Sequence, residues 1–414
     1  MKKIYFFSLI VLFISCTSER NNEINIHVDA GDHDRHNSVI TFTVPDTLQH
    51  EAYHLLGSGN NSIPLQFEDQ TAWFVLPELN AGESITFRMV PSTEHNNGPE
   101  GVTFQHREDA VAFFIEGEKP VLHYRSGAEG ADLGELDELF ARGGYIHPVI
   151  SPGGAVITDH YHPDRPHQNG IWSGWSRTEF DGRSPSFWTP AAGAGLIEVQ
   201  SVDNTWSGTV HGGVQATHHF IDKTGDTDVT ILSETWTVRV HHVLERDGQP
   251  VYMFDLESEQ QNITEHPFMI HEHVYGGISF RGNAAWLGEE NTRLLTSEGK
   301  TRVDGEPIRD AWSHIDAHQS RAKWAYLSGV VDGEHPGIVI LVHPENLEFP
   351  EPIFMNLREP FFAFSPATMG DITIDPGESL RFRYRYVVLD HDPGAEFIEN
   401  LWLDYAYPAN VTLH

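Results

Sequence analysis

The sequence predicts an all-β protein that consists of a small N-terminal β-sandwich domain followed by a large β-sandwich. The chain has 414 residues, which is too long for one ordinary domain and suits two. Short segments that alternate apolar and polar residues recur along it, with turn residues between them. Helical periodicity is almost absent, apart from a short turn around residues 133–141. Together these observations favour sheets packed face to face.

The chain begins with the features of a secretory signal. Lys2 and Lys3 precede an apolar run at residues 4–14, which is too short to span a membrane. The run ends at Ser15-Cys16, and Cys16 is the only cysteine in the sequence, so no internal disulfide can form. We expect residues 1–16 to be a lipoprotein signal peptide and Cys16 to carry a lipid that anchors the protein outside the cytoplasm, to the outer membrane of a bacterium. A plain signal peptide cleaved nearby is the alternative.

Two blocks of strands follow a polar tether at residues 17–25. Residues 26–105 are expected to form the small β-domain, because they carry the alternating segments SVITFTVP, TAWFVLPEL and ESITFRMVP. That block ends in PSTEHNNGPEG, a stretch typical of a linker. Residues 106–414 are expected to form the large sandwich, whose longest strands flank the Asp-Gly turn in VTILSETWTVRVHHVLERDGQPVYMFDLESE.

The charge of the chain limits its partners. Sixty acidic residues against 26 basic ones give a net charge of −34, which excludes nucleic-acid binding because phosphates attract basic surfaces. In the strand SLRFRYRYVVLD, apolar and aromatic residues alternate with Arg381, Arg383 and Arg385. Three like charges on one face repel one another unless something neutralises them. We expect either an anion-binding cleft or a solvated face balanced by neighbouring Asp and Glu.

The stretch DHYHPDRPHQNGIWSGW concentrates histidine and tryptophan. His160 and His162 lie two residues apart, as do His271 and His273 in HEHVYGG, so each pair shares one face of an extended segment. The two pairs could meet around a divalent cation or serve as proton carriers, while surface positions are the simpler explanation for most of the 26 histidines. Tryptophans nearby offer flat faces for stacking on sugar rings, or they belong to the core; these are Trp172, Trp175 and Trp188.

The order of several motifs resembles a known family. The motifs are YIHPVISPGGAVITD, DRPHQNGIWSGW, PSFW, GGISFRG, KWAYLSG, GIVILVHPENLEFP and LRFRYRYVVLD, which together cover roughly residues 110–390. They are similar to the secreted "methane oxygenase PmoA-like" family of unknown function. The resemblance implies a galactose-mutarotase-like β-supersandwich, a role in polysaccharide utilisation and an oligosaccharide dehydratase activity. His167 and Gln168 fit the family pattern, whereas Asn169 replaces a basic residue of its commoner form.

The residues and the resemblance together predict a carbon–oxygen lyase that acts on uronate-containing oligosaccharides. Such a dehydratase forms an unsaturated uronate at the non-reducing end by β-elimination, which requires a base, an acid and a cation beside the carboxylate. The expected catalytic residues are His167, His271, His273, Arg281 and Tyr161, with Tyr275 as a further candidate. Substrate contacts are expected from Trp172, Trp175, Gln168 and Arg358, and a divalent metal, if bound, from His160 and His162.

Two other functions remain open. A glycoside hydrolase on the same scaffold would use a carboxylate pair such as Asp164 and Glu272. A non-catalytic glycan-binding lipoprotein would need neither acid nor base. In all three cases the expected partner is an oligosaccharide, and the membrane is contacted only through the lipid anchor.

Overall fold

The computed structural model describes residues 24–45, 53–58, 61–91, 101–128, 133–288, 291–301, 320–356 and 359–414. The all-β prediction is confirmed, with a small N-terminal sheet and a larger sandwich. Cys16 and Arg358 lie outside the described residues, as do the predicted signal peptide and most of the tether. None of the described helices is both long and apolar enough to span a bilayer.

The small domain is an antiparallel sheet that folds over one core. Its first six strands are β1 (Ile24–Asp29), β2 (Arg35–Thr43), β3 (Tyr53–Leu56), β4 (Ser62–Glu68), β5 (Thr71–Leu79) and β6 (Ser84–Pro91). Alternate residues of these strands are buried, as the sequence pattern predicts. Phe74 of β5 packs edge-on against Phe87 of β6 at 6.0 Å between ring centroids, so distant strands of the sheet meet in the core.

The large domain supplies most of the remaining strands. In chain order they are β7 (Val102–His106), β8 (Ala110–Ile115), β9 (Lys119–Arg125), β10 (Tyr145–Val149), β11 (Ile171–Trp175), β12 (Thr178–Phe180), β13 (Gly195–Trp206), β14 (His211–Asp222), β15 (Val229–His241), β16 (Glu245–Arg246), β17 (Gln249–Pro250), β18 (Tyr252–Asn262), β19 (Phe268–Ile270), β20 (Gly276–Arg281), β21 (Thr292–Thr296), β22 (Arg321–Ala322), β23 (Trp324–Gly329), β24 (Gly337–Val342), β25 (Glu351–Asn356), β26 (Phe361–Phe364), β27 (Ile372–Ile374) and β28 (Ser379–Leu389). The helix α1 (Gly394–Ala406) and a last strand, β29 (Asn410–Leu413), follow.

Two large antiparallel sheets form the sandwich. The nine-stranded sheet has the order β22-β25-β26-β20-β11-β10-β9-β8-β7, and the eight-stranded sheet has the order β13-β14-β15-β18-β28-β24-β23-β21. Their inner faces share one core, in which Trp175 of the first sheet and Trp236 and Tyr386 of the second are fully or almost fully buried. The small sheet β12-β19-β27 extends one end of the sandwich.

Strands β7 and β29 pair in sheets other than those that the expected domain bounds imply. Strand β7 overlaps the boundary expected at residue 105 and pairs with β8, so it belongs to the nine-stranded sheet. Strand β29 returns to the small domain and pairs with β1, so the small sheet has seven strands. This pairing covers the hydrogen-bonding edge that β1 would otherwise expose. Helix α1 packs with its buried Ile398 and Trp402 on the outer face of the eight-stranded sheet.

The arginine row on β28 is balanced by acids. Arg381 donates to Glu259 at 2.6 Å, Arg383 is paired with Glu345, and Arg385 forms two bonds to Asp255. Of the two expectations for this row, the structure therefore matches the face neutralised by neighbouring Asp and Glu side chains. An anion-binding cleft would need guanidinium groups without such partners.

Candidate active site on the outer face of the nine-stranded sheet

The outer face of the nine-stranded sheet carries polar and aromatic side chains near its centre. Trp172 of β11 faces outward, because its neighbour Ile171 packs in the core between the sheets. Across the ladder, Trp172 pairs with Tyr145 of β10 on one side and with Ser279 of β20 on the other. Arg281 follows two residues after Ser279, so it shares the outer face.

Arg281 is fully buried and only partly bonded. Its Nη1 donates to Oε1 of Gln168 at 3.0 Å and to Oε2 of Glu359 at 3.2 Å. Its Nε and Nη2 are buried and have no hydrogen-bond partner among the described residues. Glu359 is held on its other side by Arg165, whose Nη2 lies 2.9 Å from Oε1. The Gln168 and Glu359 contacts fix the guanidinium and leave two donors available.

Arg142 is a second buried arginine beside Trp172, in the segment that precedes β10. Its side chain is almost fully buried, and its Cζ lies 5.8 Å from the centroid of the Trp172 ring. The Nε donates to the carbonyl of Gly143, and Nη2 has no partner within the described part of the chain. The Tyr161 hydroxyl accepts from Arg142 N at 3.2 Å and donates to Arg142 O at 3.1 Å, so it holds the backbone that carries the guanidinium.

Four more buried polar atoms in this region lack partners. None of these atoms has a hydrogen-bond partner among the described residues: Asp159 Oδ2, Asn169 Nδ2, Trp172 Nε1 and Ser279 Oγ. Backbone bonds connect the segments: Asp159 N donates to Arg281 O, Arg281 N to Gly170 O, and Gly170 N to Asp159 O. A buried polar group left unpaired costs about 1–3 kcal/mol, so a cluster of them is typical of a site built for a polar ligand. We call these four residues, with Arg142 and Arg281, the buried polar cluster.

Burial and the arginines of the site together lower the pKa of His167. Burial, followed by the positive charges of Arg165, Arg142 and Arg281, lowers the pKa of the His167 imidazole to about 4. His167 is therefore uncharged at neutral pH. His167 and Arg281, which are far apart in sequence, share one electrostatic environment. Burial raises the pKa of Asp159, against the opposing effect of Arg281.

Aromatic side chains border the buried polar cluster. The Trp188 ring lies 4.6 Å from that of Trp172 and 5.2 Å from that of Tyr275, between ring centroids. Tyr275 in turn contacts His273 at 5.3 Å, and Ser176 Oγ lies 2.9 Å from His273 Nδ1. Burial raises the pKa of the Tyr275 hydroxyl to about 12, so it carries its proton at neutral pH. His273 thus lies at the border of the site, one aromatic ring away from Trp188.

Three predicted site residues have other surroundings in the structure. Trp175 faces the core between the sheets, where its Nε1 donates to Gln260 at 2.8 Å, so it offers no face to a sugar. Trp172 is fully buried, and its role is limited to its N–H and its packing. His271 lies on the far side of His273, with Nδ1 3.2 Å from Asp371 and Nε2 3.4 Å from Glu179.

The predicted metal ligands do not converge. His160 Nδ1 lies 3.0 Å from the Tyr145 hydroxyl, whereas His162 Nδ1 accepts from the backbone N of Asp164. Within the described ranges, no group of three or more His, Cys, Asp or Glu side chains could hold a metal ion. The divalent cation therefore stays a prediction without support from this arrangement. The alternative hydrolase pair is also exposed, and Glu272 borders Asp371 rather than the buried polar cluster.

Sequence reasoning did not find Arg142, Asp159, Ser279 or Glu359. Asp159 and Ser279 lie inside the quoted motifs, but acidic and small polar residues are too common in this chain to stand out. Arg142 gave a usable signal, since only two glycines separate it from YIHPVISPGG in a chain with few cations. Glu359 is recognisable only from its two arginine contacts.

The chain belongs to a protein family of unknown function. The chain is a member of DUF6807, a family of unknown function whose model matches residues 111–403. That range contains the whole buried polar cluster. No curated protein matches the sequence.

Several solved structures are similar to this chain at low identity and low TM-score. An α-mannosidase from Enterococcus faecalis V583 is 9% identical, with a TM-score of 0.43 over 95% of this chain and 46% of that one. A glycosyl hydrolase family 38 protein from Enterococcus faecalis is also 9% identical, with a TM-score of 0.49 over 95% of this chain and 47% of that one. A candidate aldose 1-epimerase from Klebsiella pneumoniae is 11% identical, with a TM-score of 0.32 over 88% of this chain and 95% of that one. The chain spans about half the length of the first two, and with every TM-score below 0.5 the activity has to be argued from the site.

Proposed function

We propose that the protein is a carbon–oxygen lyase that removes water from a uronate-containing oligosaccharide. The observation that carries the proposal is the pair of buried arginines, Arg142 and Arg281, each with guanidinium N–H groups that lack partners among the described residues. A planar carboxylate accepts two parallel bonds from a guanidinium, and such charge-assisted bonds are among the strongest in proteins. A sugar acid supplies that carboxylate.

The electrostatics of the site favour an anionic ligand. The chain as a whole carries a net charge of −34, yet three arginines act together on His167. Glu359 pairs with both Arg165 and Arg281, and Asp159 also acts on Arg281, so two acids face the three arginines. The remaining positive charge is buried, where a counter-charge stabilises it most. A carboxylate bound at Arg142 and Arg281 would satisfy both the charge and the unpaired donors.

The proposed chemistry is β-elimination. The proton on C5, next to the carboxylate, is transferred to His167, and the electron pair of that C–H bond forms the C4=C5 double bond. The C4–O bond breaks, and its electron pair stays with the departing oxygen, which takes up a proton and leaves as water. Arg142 and Arg281 stabilise the negative charge that grows on the carboxylate as C5 loses its proton.

His167 is suited to accept the proton once the substrate is bound. In the free protein, burial and three arginines hold its pKa at about 4, which makes it a weak base. A bound carboxylate cancels much of the arginine charge and shifts the pKa of His167 upward, toward the range in which a general base works best. Tyr275, whose pKa is about 12, is our candidate for the proton donor to the departing oxygen.

The proposal also covers location and biological setting. The lipid on Cys16 and the role in polysaccharide utilisation rest on the signal sequence and on the PmoA-like resemblance. A lipid anchor would hold the enzyme where oligosaccharides arrive from outside the cell.

The test is incubation with a panel of uronate oligosaccharides, read by near-ultraviolet absorbance and by mass. A dehydratase produces absorbance together with the loss of one water per molecule. A glycoside hydrolase releases reducing ends without absorbance, and a binding protein changes neither. Arg281→Met and His167→Gln should each lower turnover by about 10²–10⁴-fold. Arg383→Met is the matched control, because Arg383 pairs with the exposed Glu345.

A further inference from the structure

A row of residues runs from Arg281 across the outer face to a group of histidines. Arg281 N donates to Gly170 O at 2.7 Å, and Gly170 directly precedes β11. Next to Gly170 lies His147 of β10: a Cβ placed on Gly170 would be 3.0 Å from His147 Cβ and 2.0 Å from Ile146 O. Neighbouring strands lie about 4.8 Å apart, so the backbones at Arg281 and His147 are roughly 10 Å apart. Only glycine fits at position 170, because the backbone of β10 approaches it this closely and its φ is +52°.

Two histidines at the end of this row are oriented by hydroxyl groups. His147 Nδ1 lies 2.9 Å from Thr158 Oγ1, and His160 Nδ1 lies 3.0 Å from the hydroxyl of Tyr145. The two imidazole rings stack with centroids 3.9 Å apart. Their Nε2 atoms form no hydrogen bond to the residues that the structure describes, and both side chains are only partly buried.

His123 of β9 continues the row, and all three histidines are uncharged at neutral pH. It shares the outer face because its neighbour Tyr124 packs in the core. Burial is the main cause that lowers the pKa of His147 to about 2 and those of His123 and His160 to about 4. The nearby Arg125 is paired with Asp109. Charge therefore does not attract a second anion to these rings.

We propose that His123, His147 and His160 form a second sugar subsite, which binds an uncharged ring linked to the uronate at Arg281. The inference rests on the proposed function and names the neighbouring part of the same substrate. A neutral imidazole donates from one nitrogen and accepts at the other, which matches a sugar hydroxyl that does both.

The experiment is isothermal titration of the whole protein with three classes of ligand. These are free glucuronate, galacturonate and mannuronate; aldobiouronates, in which a uronate is joined to a neutral sugar; and disaccharides of two uronates. For the preferred uronate, the aldobiouronate should bind about 10-fold more tightly than the free acid, as one or two added hydrogen bonds imply. His147→Phe and His123→Phe keep a flat ring but remove its donor and acceptor, so each should abolish that gain and change the affinity for the free acid by less than about 2-fold. His335→Phe, at an exposed loop histidine, is the matched control.

Each other outcome counts against a different statement. The subsite is wrong if the neutral sugar adds no affinity, or if His147→Phe weakens the binding of the free acid and of the disaccharide equally. If a second uronate adds as much affinity as a neutral sugar, the row binds anions and our choice of ligand is wrong. If no uronate in any form binds, the proposed function fails and the subsite fails with it.

Discussion

Replacing Arg281 with methionine tests the electrostatic account of the site. The change removes the guanidinium and keeps an unbranched stem of similar length. Its Nη1 bonds to Gln168 and Glu359 are lost, but Glu359 keeps Arg165 at 2.9 Å. The free energy of unfolding should therefore fall by only about 1–2 kcal/mol, and the variant should fold. Two donors that have no partner among the described residues disappear with the guanidinium.

The consequences for the ligand and for His167 follow from these contacts. A hydrogen bond to a charged group contributes about 1.5–3 kcal/mol, so losing one or two should weaken uronate binding by about 10–10⁴-fold. Arg281 is one of three cations that lower the pKa of His167 to about 4, so its removal should raise that pKa. Titration of the His167 Cε1–H resonance by NMR measures the shift, and calorimetry measures the affinity.

Arg383→Met is the control for both measurements, because Arg383 lies on the eight-stranded sheet and its partner Glu345 is exposed. An unchanged or lower pKa of His167 in Arg281→Met would refute the shared electrostatic environment. Unchanged uronate affinity in a folded variant would refute the role of Arg281 in binding.

Four further predictions concern other parts of the molecule. Trp175→Phe should lower the free energy of unfolding by about 1–3 kcal/mol in urea titrations, because Gln260 loses a buried donor, and it should leave uronate affinity unchanged. Burial raises the pKa of Glu351 from 4.5 to about 8, so the folded state binds this proton more tightly than the unfolded state does. The free energy of unfolding should therefore fall as the pH rises from about 4.5 to 8, and Glu351→Gln should flatten that dependence. Deleting Asn410–Leu413 should expose the edge of β1 and speed proteolysis of the small domain selectively. Cys16→Ser should release the mature protein from membranes, and equal membrane association would contradict lipidation.

The sequence was sufficient for the fold class because alternation is a local property. The β28 pattern predicts correctly that Phe382, Tyr384 and Tyr386 face the core, since side chains on a strand alternate between faces. The return of β29 to β1 was not predictable, because pairing between the two ends of a chain leaves no mark on a four-residue segment. Strand β7 spans the boundary expected at residue 105 and pairs forward with β8, which linker composition alone does not reveal.

The candidate site was only partly predictable. Arg281, Gln168 and His167 come together because motif loops meet the outer face of β20, and their motif positions had pointed to them. Trp175 was assigned to the wrong face because one residue of register decides whether a tryptophan faces ligand or core. Repeated His-x-His spacing likewise says nothing about whether two pairs meet in space.

The central claim is that the buried polar cluster binds a uronate and that the protein removes water from it. The most direct test is to incubate the whole protein with uronate oligosaccharides and to monitor the same reaction by near-ultraviolet absorbance and by mass spectrometry. The account predicts rising absorbance with the loss of one water per molecule, abolished in Arg281→Met and retained in Arg383→Met. Release of reducing ends without absorbance, or equal turnover in both variants, would contradict it.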